Sequence, residues 1–128
     1  MTSRTANLAV DVSVPRAAFE VSAAFDVAPG RVLGIVGPNG AGKSSLLAAI
    51  AGLADATGPV RLGDRDLAAL PAESRGIGVV FQDFLLFPHL SVLDNVAFPQ
   101  RVRLGGRRRA RAAAEPWLAR FDLTELAL

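Results

Sequence analysis

The chain has 128 residues, 51% of them hydrophobic and 20% charged, which is the composition of a globular protein and excludes a disordered one. It contains no cysteine, which excludes a disulfide framework and a cysteine-bound metal. Six of the 14 basic residues lie between Arg101 and Arg111, where no acidic residue occurs. The net charge of +2 therefore reflects a local stripe, and a uniformly basic surface that wraps nucleic acid is not predicted.

Two features bear on membranes. The first 14 residues alternate polar and apolar side chains and lack the apolar segment of a signal peptide. The longest charge-free apolar stretch, Leu46–Ala54, has about half of the residues that a membrane-spanning helix needs. We expect that the chain does not cross a bilayer by itself.

The N-terminal third predicts strands. Apolar residues alternate with polar ones from Leu8 to Val14 and again from Phe19 to Val27, which predicts an antiparallel pair with one wet face. A turn at Pro29-Gly30 is followed by Arg31–Val36, a short, mostly apolar run that fits a buried strand. A helix is predicted over Ser44–Leu53, with Gly52 as its end signal, followed by a short strand over Gly58–Leu62 and two helical turns over Asp64–Leu70. A second buried strand is predicted over Gly76–Phe81. Two further helices are predicted: one is capped by Ser91 with Asp94 three residues later, and a basic one begins at Arg107 and is kinked or restarted by Pro116.

The only lysine of the chain, Lys43, lies in Gly37–Ser44 (GPNGAGKS), which matches the phosphate-binding pattern G-x-x-x-x-G-K-[ST] at every fixed position. We call Gly37–Ser44 the phosphate loop. An ammonium on a flexible stem can reach between β- and γ-phosphate oxygens as a point charge, whereas a guanidinium needs a wider, flatter site. The alternative is a glycine-rich turn with one exposed lysine. A predicted strand before the loop and a helix after it favour nucleotide binding.

Each residue type in the phosphate loop suits this chemistry. Gly37 permits a sharp exit from the strand, and Gly40 and Gly42 let backbone N–H groups converge on phosphates without a Cβ in the way. The helix that begins near Lys43 directs its positive end at the same anion. The Ser44 hydroxyl would bind a Mg²⁺ ion that bridges β- and γ-phosphates.

Three stretches of the chain resemble the ATP-binding cassette (ABC) ATPases, the nucleotide-binding subunits of ABC transporters. They are GPNGAGKSSLLAAIAGL from Gly37, IGVVFQD from Ile77, and LFPHLSVLDNVAF from Leu86. The resemblance covers the chain from about Val10 to its end and is strongest to importers of the molybdate and sulfate type. It implies an α/β fold of the P-loop NTPase class: an antiparallel β subdomain, a partial parallel core sheet with the phosphate-loop helix, and the start of a helical subdomain.

The resemblance also implies roles for individual residues. Gln82 would touch Mg²⁺ or the attacking water, and its loop would pass the nucleotide state to a membrane partner. ATP and Mg²⁺ are the implied ligands. Transmembrane permease subunits and a second, head-to-tail ATPase subunit are the implied partners, on the cytoplasmic face of the cell membrane. The residues that would wrap the triphosphate are Gly37, Pro38, Asn39, Gly40, Ala41, Gly42, Lys43, Ser44 and Ser45.

Two further side chains are weighed for the site. The family stacks an aromatic residue on adenine, and with no tyrosine in the chain Phe19 is the nearest candidate. Phe19 also continues the apolar face of a strand, so we favour core packing for it. His89 is the only histidine, and it lies in the FPHLS turn, upstream of where the family places its phosphate-sensing histidine. A loop or packing role is expected for His89.

The resemblance divides the chain into residues 1–30 (antiparallel part), 31–83 (phosphate loop to Gln82) and 84–128 (start of the helical subdomain). The LSGGQ signature, the acidic catalytic strand and the switch histidine do not occur within the 128 residues. No catalytic residue is therefore assigned in this chain, and we expect weak ATP binding with negligible turnover. The expectation is an N-terminal fragment of an ABC ATPase.

Three functions stay open from the sequence. The first is the ATPase subunit of an importer, with molybdate or a related anion as the transported solute. The second is a soluble, non-transport ABC protein, and the third is a nucleotide-binding remnant without turnover. The arginines between Arg101 and Arg111 are interpreted as a solvated helix face, with anionic lipid or non-specific nucleic acid as alternatives. No aromatic residues lie among them, so no specific nucleic-acid partner is expected.

Overall fold

The computed structural model describes residues 6–127, except for the side chain of Leu104. The chain divides into two compact units, one ending at Val80 and one beginning at Phe81. Among the described residues, no helix is both long and apolar enough to cross a membrane.

The first unit contains a four-stranded antiparallel sheet with the order β2-β1-β3-β4. The antiparallel pairing that the two alternating segments predict is confirmed, and its register runs from Leu8 opposite Val27 to Pro15 opposite Glu20. The inward residues of the first strand are nearly inaccessible, because their alternation places them all on the covered face. The strands are β1 (Leu8–Pro15), β2 (Glu20–Val27), β3 (Val60–Leu62) and β4 (Arg65–Asp66).

One helix covers this sheet. Helix α1 (Lys43–Ala51) ends at Gly52, whose φ of 81° is the left-handed conformation of a helix C-cap. The buried residues of the sheet and of α1 form one apolar core, so α1 is held against β1 by side-chain packing and not by chain connectivity alone. The core consists of Val10, Val12, Val14, Leu46, Ala49, Ile50, Val60 and Leu67.

Two predicted buried strands are absent. Residues 31–36 and 76–81 have no strand pairing, and Val32, Val36 and Val80 are 98%, 93% and 100% exposed. A parallel strand exists only through hydrogen bonds to neighbours, and within residues 6–127 all strand pairs are antiparallel. The prediction of these two strands, and with them the partial parallel core sheet, is wrong for the described residues. The α/β class, an antiparallel sheet with helices, is confirmed.

The segment after β3 also differs from its prediction. The two helical turns expected over Asp64–Leu70 are wrong: β4 forms a hairpin with β3, and the Asp66 carboxylate accepts a hydrogen bond from the Ala68 N–H at 2.9 Å. Asp side chains that bond to nearby backbone amides favour turns over helices. The short helix α2 (Ala72–Arg75) begins only after Pro71.

The second unit is a helix pair. Helices α3 (Val92–Leu104) and α4 (Arg107–Arg120) are joined at Gly105-Gly106 and pack through Ala97, Ala110 and Ala114. Such small side chains let two helix backbones approach closely. A 3₁₀ turn over Thr124–Leu126 follows.

The predicted cap of α3 is present, whereas the restart predicted at Pro116 of α4 is not. The predicted cap is confirmed, since Ser91 Oγ accepts a hydrogen bond from the Asp94 N–H at 3.2 Å. However, α3 continues through Pro99, and α4 continues through Pro116 without a restart. Each proline removes one hydrogen bond, and burial of Ala114 and Leu118 holds α4 together around Pro116.

Candidate functional site

The phosphate loop turns through two glycines with left-handed backbone. Gly40 has φ 82° and Gly42 has φ 92°, a region that residues with a Cβ rarely adopt. At Gly42 there is also no room, because a Cβ would lie 2.3 Å from Val21 Cγ2. The loop therefore lies against β2 at a point where only glycine fits.

Helix α1 begins directly after Gly42 and exposes its positive end. Its first internal bond is from the Leu46 N–H to the Gly42 carbonyl at 2.9 Å. Within residues 6–127, no oxygen accepts from the N–H groups of Lys43, Ser44 and Ser45, and no side chain caps the helix. Three convergent donors and the helix dipole form a binding place for an anion.

The only lysine of the chain lies in the same loop. Lys43 Nζ donates hydrogen bonds to the carbonyl oxygens of Gly37 at 2.8 Å and Pro38 at 2.7 Å. An ammonium has three donors, so one remains for a further acceptor. The backbone thus anchors the positive charge of Lys43 within the phosphate loop.

The two serines after Lys43 have different surroundings. Ser44 is exposed, and its hydroxyl is available to a ligand. Ser45 is half-buried, and its Oγ accepts a hydrogen bond from Arg16 Nη1 at 2.7 Å. Among the described residues, no cluster of three histidines or carboxylates could hold a metal ion by itself. The Ser44 hydroxyl fits Mg²⁺, which usually takes one or two protein ligands together with phosphate oxygens.

Comparison with known proteins settles the family. The ABC transporter family matches residues 22–127 of the chain. The chain belongs to the ABC transporter family.

Several curated ABC proteins resemble the chain over much of its length. The molybdenum import ATP-binding protein ModC of Mycobacterium tuberculosis is 49% identical in an alignment 115 residues long, and the match covers 80% of this chain. The sulfate/thiosulfate import ATP-binding protein CysA of Xanthomonas campestris is 43% identical over 107 residues, again 80% of the chain. The diacetylchitobiose uptake system ATP-binding protein MsiK of Streptomyces coelicolor is 43% identical over 102 residues, or 79% of the chain. The matches span 31%, 31% and 27% of these relatives.

The first unit holds one part of the site that the ABC resemblance implies. Gly37 to Ser45 form one continuous loop and helix start. Gln82 belongs to the second unit, where it is exposed in an irregular segment, and its contact with Mg²⁺ stays a prediction.

The aromatic residues weighed for the site are now placed. Phe19 is 46% exposed at the turn before β2 and does not belong to the core cluster, so the core packing that we favoured for it is wrong. Its stacking on adenine stays a prediction. His89 lies in the turn after Phe87, with its ring edge-on to the Phe87 ring at 6.0 Å between centroids. This position agrees with the loop or packing role expected for His89.

A buried arginine at the other end of α1 was missed. Arg75 is 7% exposed and donates hydrogen bonds to the Ala49 and Ile50 carbonyls at 3.0 and 2.9 Å. Those carbonyls belong to the negative end of α1, which a cation stabilises. Arg75 also donates to the Leu70 and Ala68 carbonyls at 2.9 and 3.1 Å. It thereby fixes the C-terminal end of the helix whose N-terminal end forms the site.

An ion-pair cluster in the second unit was also missed. The Asp94 carboxylate, 8% exposed, accepts hydrogen bonds from Arg111 Nε and Nη2, both at 2.7 Å, and from Arg107 Nη2 at 2.6 Å. Hydrogen bonds from Arg111, and to a smaller extent from Arg107, hold the pKa of Asp94 far below its usual value. The hydrogen bonding between Arg111 and Asp94 also raises the pKa of Arg111. The sequence carried one signal for this: Asp94 is the only acidic residue between Asp83 and Glu115.

Proposed function

We propose that this ABC transporter chain forms the nucleotide-binding part of an importer's ATP-binding subunit. The observation that carries the proposal is the start of α1: within residues 6–127 the amides of Lys43, Ser44 and Ser45 have no acceptor, and the Lys43 ammonium is anchored in the same loop. A triphosphate is the biological ligand whose charge and size suit such an arrangement. The molybdate, sulfate and sugar importers named among the relatives support the transport role.

In this proposal the backbone amides bind the phosphates of the nucleotide, and Lys43 neutralises part of their negative charge. The amides of Lys43, Ser44 and Ser45 donate to phosphate oxygens, and the free donor of Lys43 reaches the β- and γ-phosphates. The Ser44 hydroxyl is the protein ligand for Mg²⁺, which when bound neutralises phosphate charge. Gly37 to Ala41 supply the curve of the loop that brings these groups together.

The finer assignments belong to the same proposal. Gln82 and the segment after it would report the nucleotide state to transmembrane permease subunits, and the chain would work as one of two ATPase subunits on the cytoplasmic face of the membrane. Molybdate or a related anion is the proposed solute. We also propose the division into residues 1–30, 31–83 and 84–128, and we expect negligible turnover from these 128 residues, which lack an acidic catalytic strand and a signature segment.

Equilibrium binding of Mg²⁺-ATP to the purified chain, by calorimetry, tests the proposal. We expect saturable binding that Lys43→Ala weakens by at least about tenfold, since one charge-assisted bond to phosphate is lost. Arg31→Ala is the matched control, because Arg31 is an exposed cation of the same unit. Equal binding by the Lys43→Ala chain would contradict the proposed function.

A further inference from the structure

A second cation contacts the start of α1. Arg16 lies in the turn between β1 and β2, which is closed by a hydrogen bond from the Arg16 N–H to the Phe19 carbonyl at 2.9 Å. Its Nη1 donates to Ser45 Oγ at 2.7 Å, across 29 residues of sequence. The guanidinium is thereby held at the third residue of the helix.

This position is electrostatically unfavourable for a cation on its own. The N-terminal end of a helix carries positive charge, and Lys43 adds another unit charge in the same loop. Within residues 6–127, no carboxylate lies within 4.0 Å of the Arg16 guanidinium, since the ion pairs found there involve only Asp94. Two cations and a helix N-terminus without a bound acid favour an anion of high charge.

The two cations contact different parts of the loop. Lys43 is bonded to the carbonyls at the beginning of the phosphate loop, whereas Arg16 is bonded to the side chain of Ser45 beyond its end. Beside Arg16 runs a groove of about 400 Å³, lined by Pro15, Ser44, Ser45, Ala48 and Asp55 among others. The groove offers apolar surface, hydroxyls and one carboxylate next to the phosphate loop, which suits the nucleoside end of a nucleotide.

We propose that Arg16 binds the α-phosphate of the nucleotide and so directs its nucleoside end towards the β1–β2 turn. The inference rests on the proposed function. A guanidinium has five donors, so Arg16 keeps donors for phosphate oxygens while it is bonded to Ser45. Lys43 then serves the β- and γ-phosphates and Arg16 the α-phosphate.

Binding of ATP and of ADP to the chain, each with Mg²⁺, tests this assignment. Both nucleotides contain the α-phosphate, so we expect Arg16→Ala to weaken both by the same factor of about ten. Arg16→Lys keeps the charge without the planar fork, so its affinity for each nucleotide should lie between those of wild type and Arg16→Ala. Arg61→Ala is the matched control, because Arg61 is an exposed cation of β3 in the same unit. Circular dichroism and thermal unfolding of each variant separate lost binding from lost folding.

The outcomes separate the two proposals. If the wild-type chain binds ATP and Arg16→Ala binds both nucleotides as tightly as wild type, the role of Arg16 is refuted while the proposed function stands. A loss of affinity confined to ATP also refutes the role of Arg16, because it indicates a contact with the γ-phosphate. An equal loss of affinity in Arg61→Ala refutes it as well, because it indicates a general charge effect. If the wild-type chain binds neither nucleotide, the proposed function fails and takes this inference with it. Should Arg16→Ala not fold, Arg16→Lys, which keeps the charge without the planar fork, must still weaken both nucleotides by the same factor.

Discussion

Gly42 and Val21 fix the position of the phosphate loop on the sheet: a Cβ on Gly42 would lie 2.3 Å from Val21 Cγ2. The loop belongs to a helix start and Val21 to β2, so this contact ties the site to the antiparallel sheet. Gly40, two residues earlier, has a similar φ but nothing within 4 Å of the place of a Cβ. Comparing substitutions at Gly40 and Gly42 therefore separates the cost of a left-handed backbone from the cost of a side-chain clash.

Gly42→Ala should therefore destabilise the first unit more than Gly40→Ala. For Gly40→Ala we expect a cost of about 1 kcal/mol from the left-handed backbone alone, and for Gly42→Ala about 2–4 kcal/mol, since a side-chain conflict is added. Urea unfolding measures both. Adding Val21→Ala should recover part of the Gly42→Ala loss. Equal costs for the two glycines would show that the contact with Val21 is unimportant.

Arg75 should matter for stability although it has no acidic partner among the described residues. Arg75→Met removes donors from four carbonyls around the end of α1, and we expect a loss of about 2–4 kcal/mol in the free energy of unfolding. The control is Arg65→Met, because Arg65 is exposed and makes one long bond, to the Ser74 carbonyl at 3.3 Å. A loss for Arg75→Met no larger than for Arg65→Met would contradict this account.

The Asp94 cluster predicts an acid-sensitive stability. The pKa of Asp94 is lowered in the folded chain, so its stabilisation is present above the unfolded pKa of about 4 and is lost as the pH falls towards the folded pKa. The free energy of unfolding of wild type should exceed that of Asp94→Asn by a constant amount above about pH 5, and the gap should shrink below pH 4.

Glu115→Gln is the control for the acid effect. Glu115 is exposed on α4 and makes no ion pair among the described residues, so this variant should follow the wild-type pH profile. A gap between wild type and Asp94→Asn that does not change from pH 7 to pH 3 would refute the predicted linkage.

Lys43→Arg tests why the chain uses lysine at this position. The arginine keeps the charge, but its planar fork cannot take the compact position between the Gly37 and Pro38 carbonyls. We expect Mg²⁺-ATP to bind Lys43→Arg nearly as weakly as Lys43→Ala, in the same calorimetric titration. Wild-type affinity in Lys43→Arg would show that only the charge matters.

Sequence patterns correctly predicted the features that depend on residues close to one another in the chain. The alternation in β1 and β2, the cap at Ser91 and the helix after Lys43 depend on neighbours in sequence, and the structure has all three. The apolar run 31–36 has the composition of a buried strand, but pairing is a long-range property and no described strand pairs with it.

The contacts that sequence reasoning missed join distant residues. Arg16 meets Ser45 across 29 positions, and Arg75 meets Ile50 across 25. Nothing in the sequence separates these arginines from the eleven others, because their role depends on which backbone carbonyls and hydroxyls the fold brings near. Phe19 was misplaced for the same reason: its alternation fits the sheet, yet the turn leaves it half exposed.

The most direct measurement is a titration of the ¹⁵N-labelled chain with Mg²⁺-ATP, observed by the backbone amide signals. The account predicts the largest saturable shifts at Lys43, Ser44 and Ser45, whose N–H groups have no acceptor within residues 6–127, and little change at Leu62 in β3. Shifts that leave the start of α1 unaffected at saturating ATP would contradict the claim that these amides hold the phosphates.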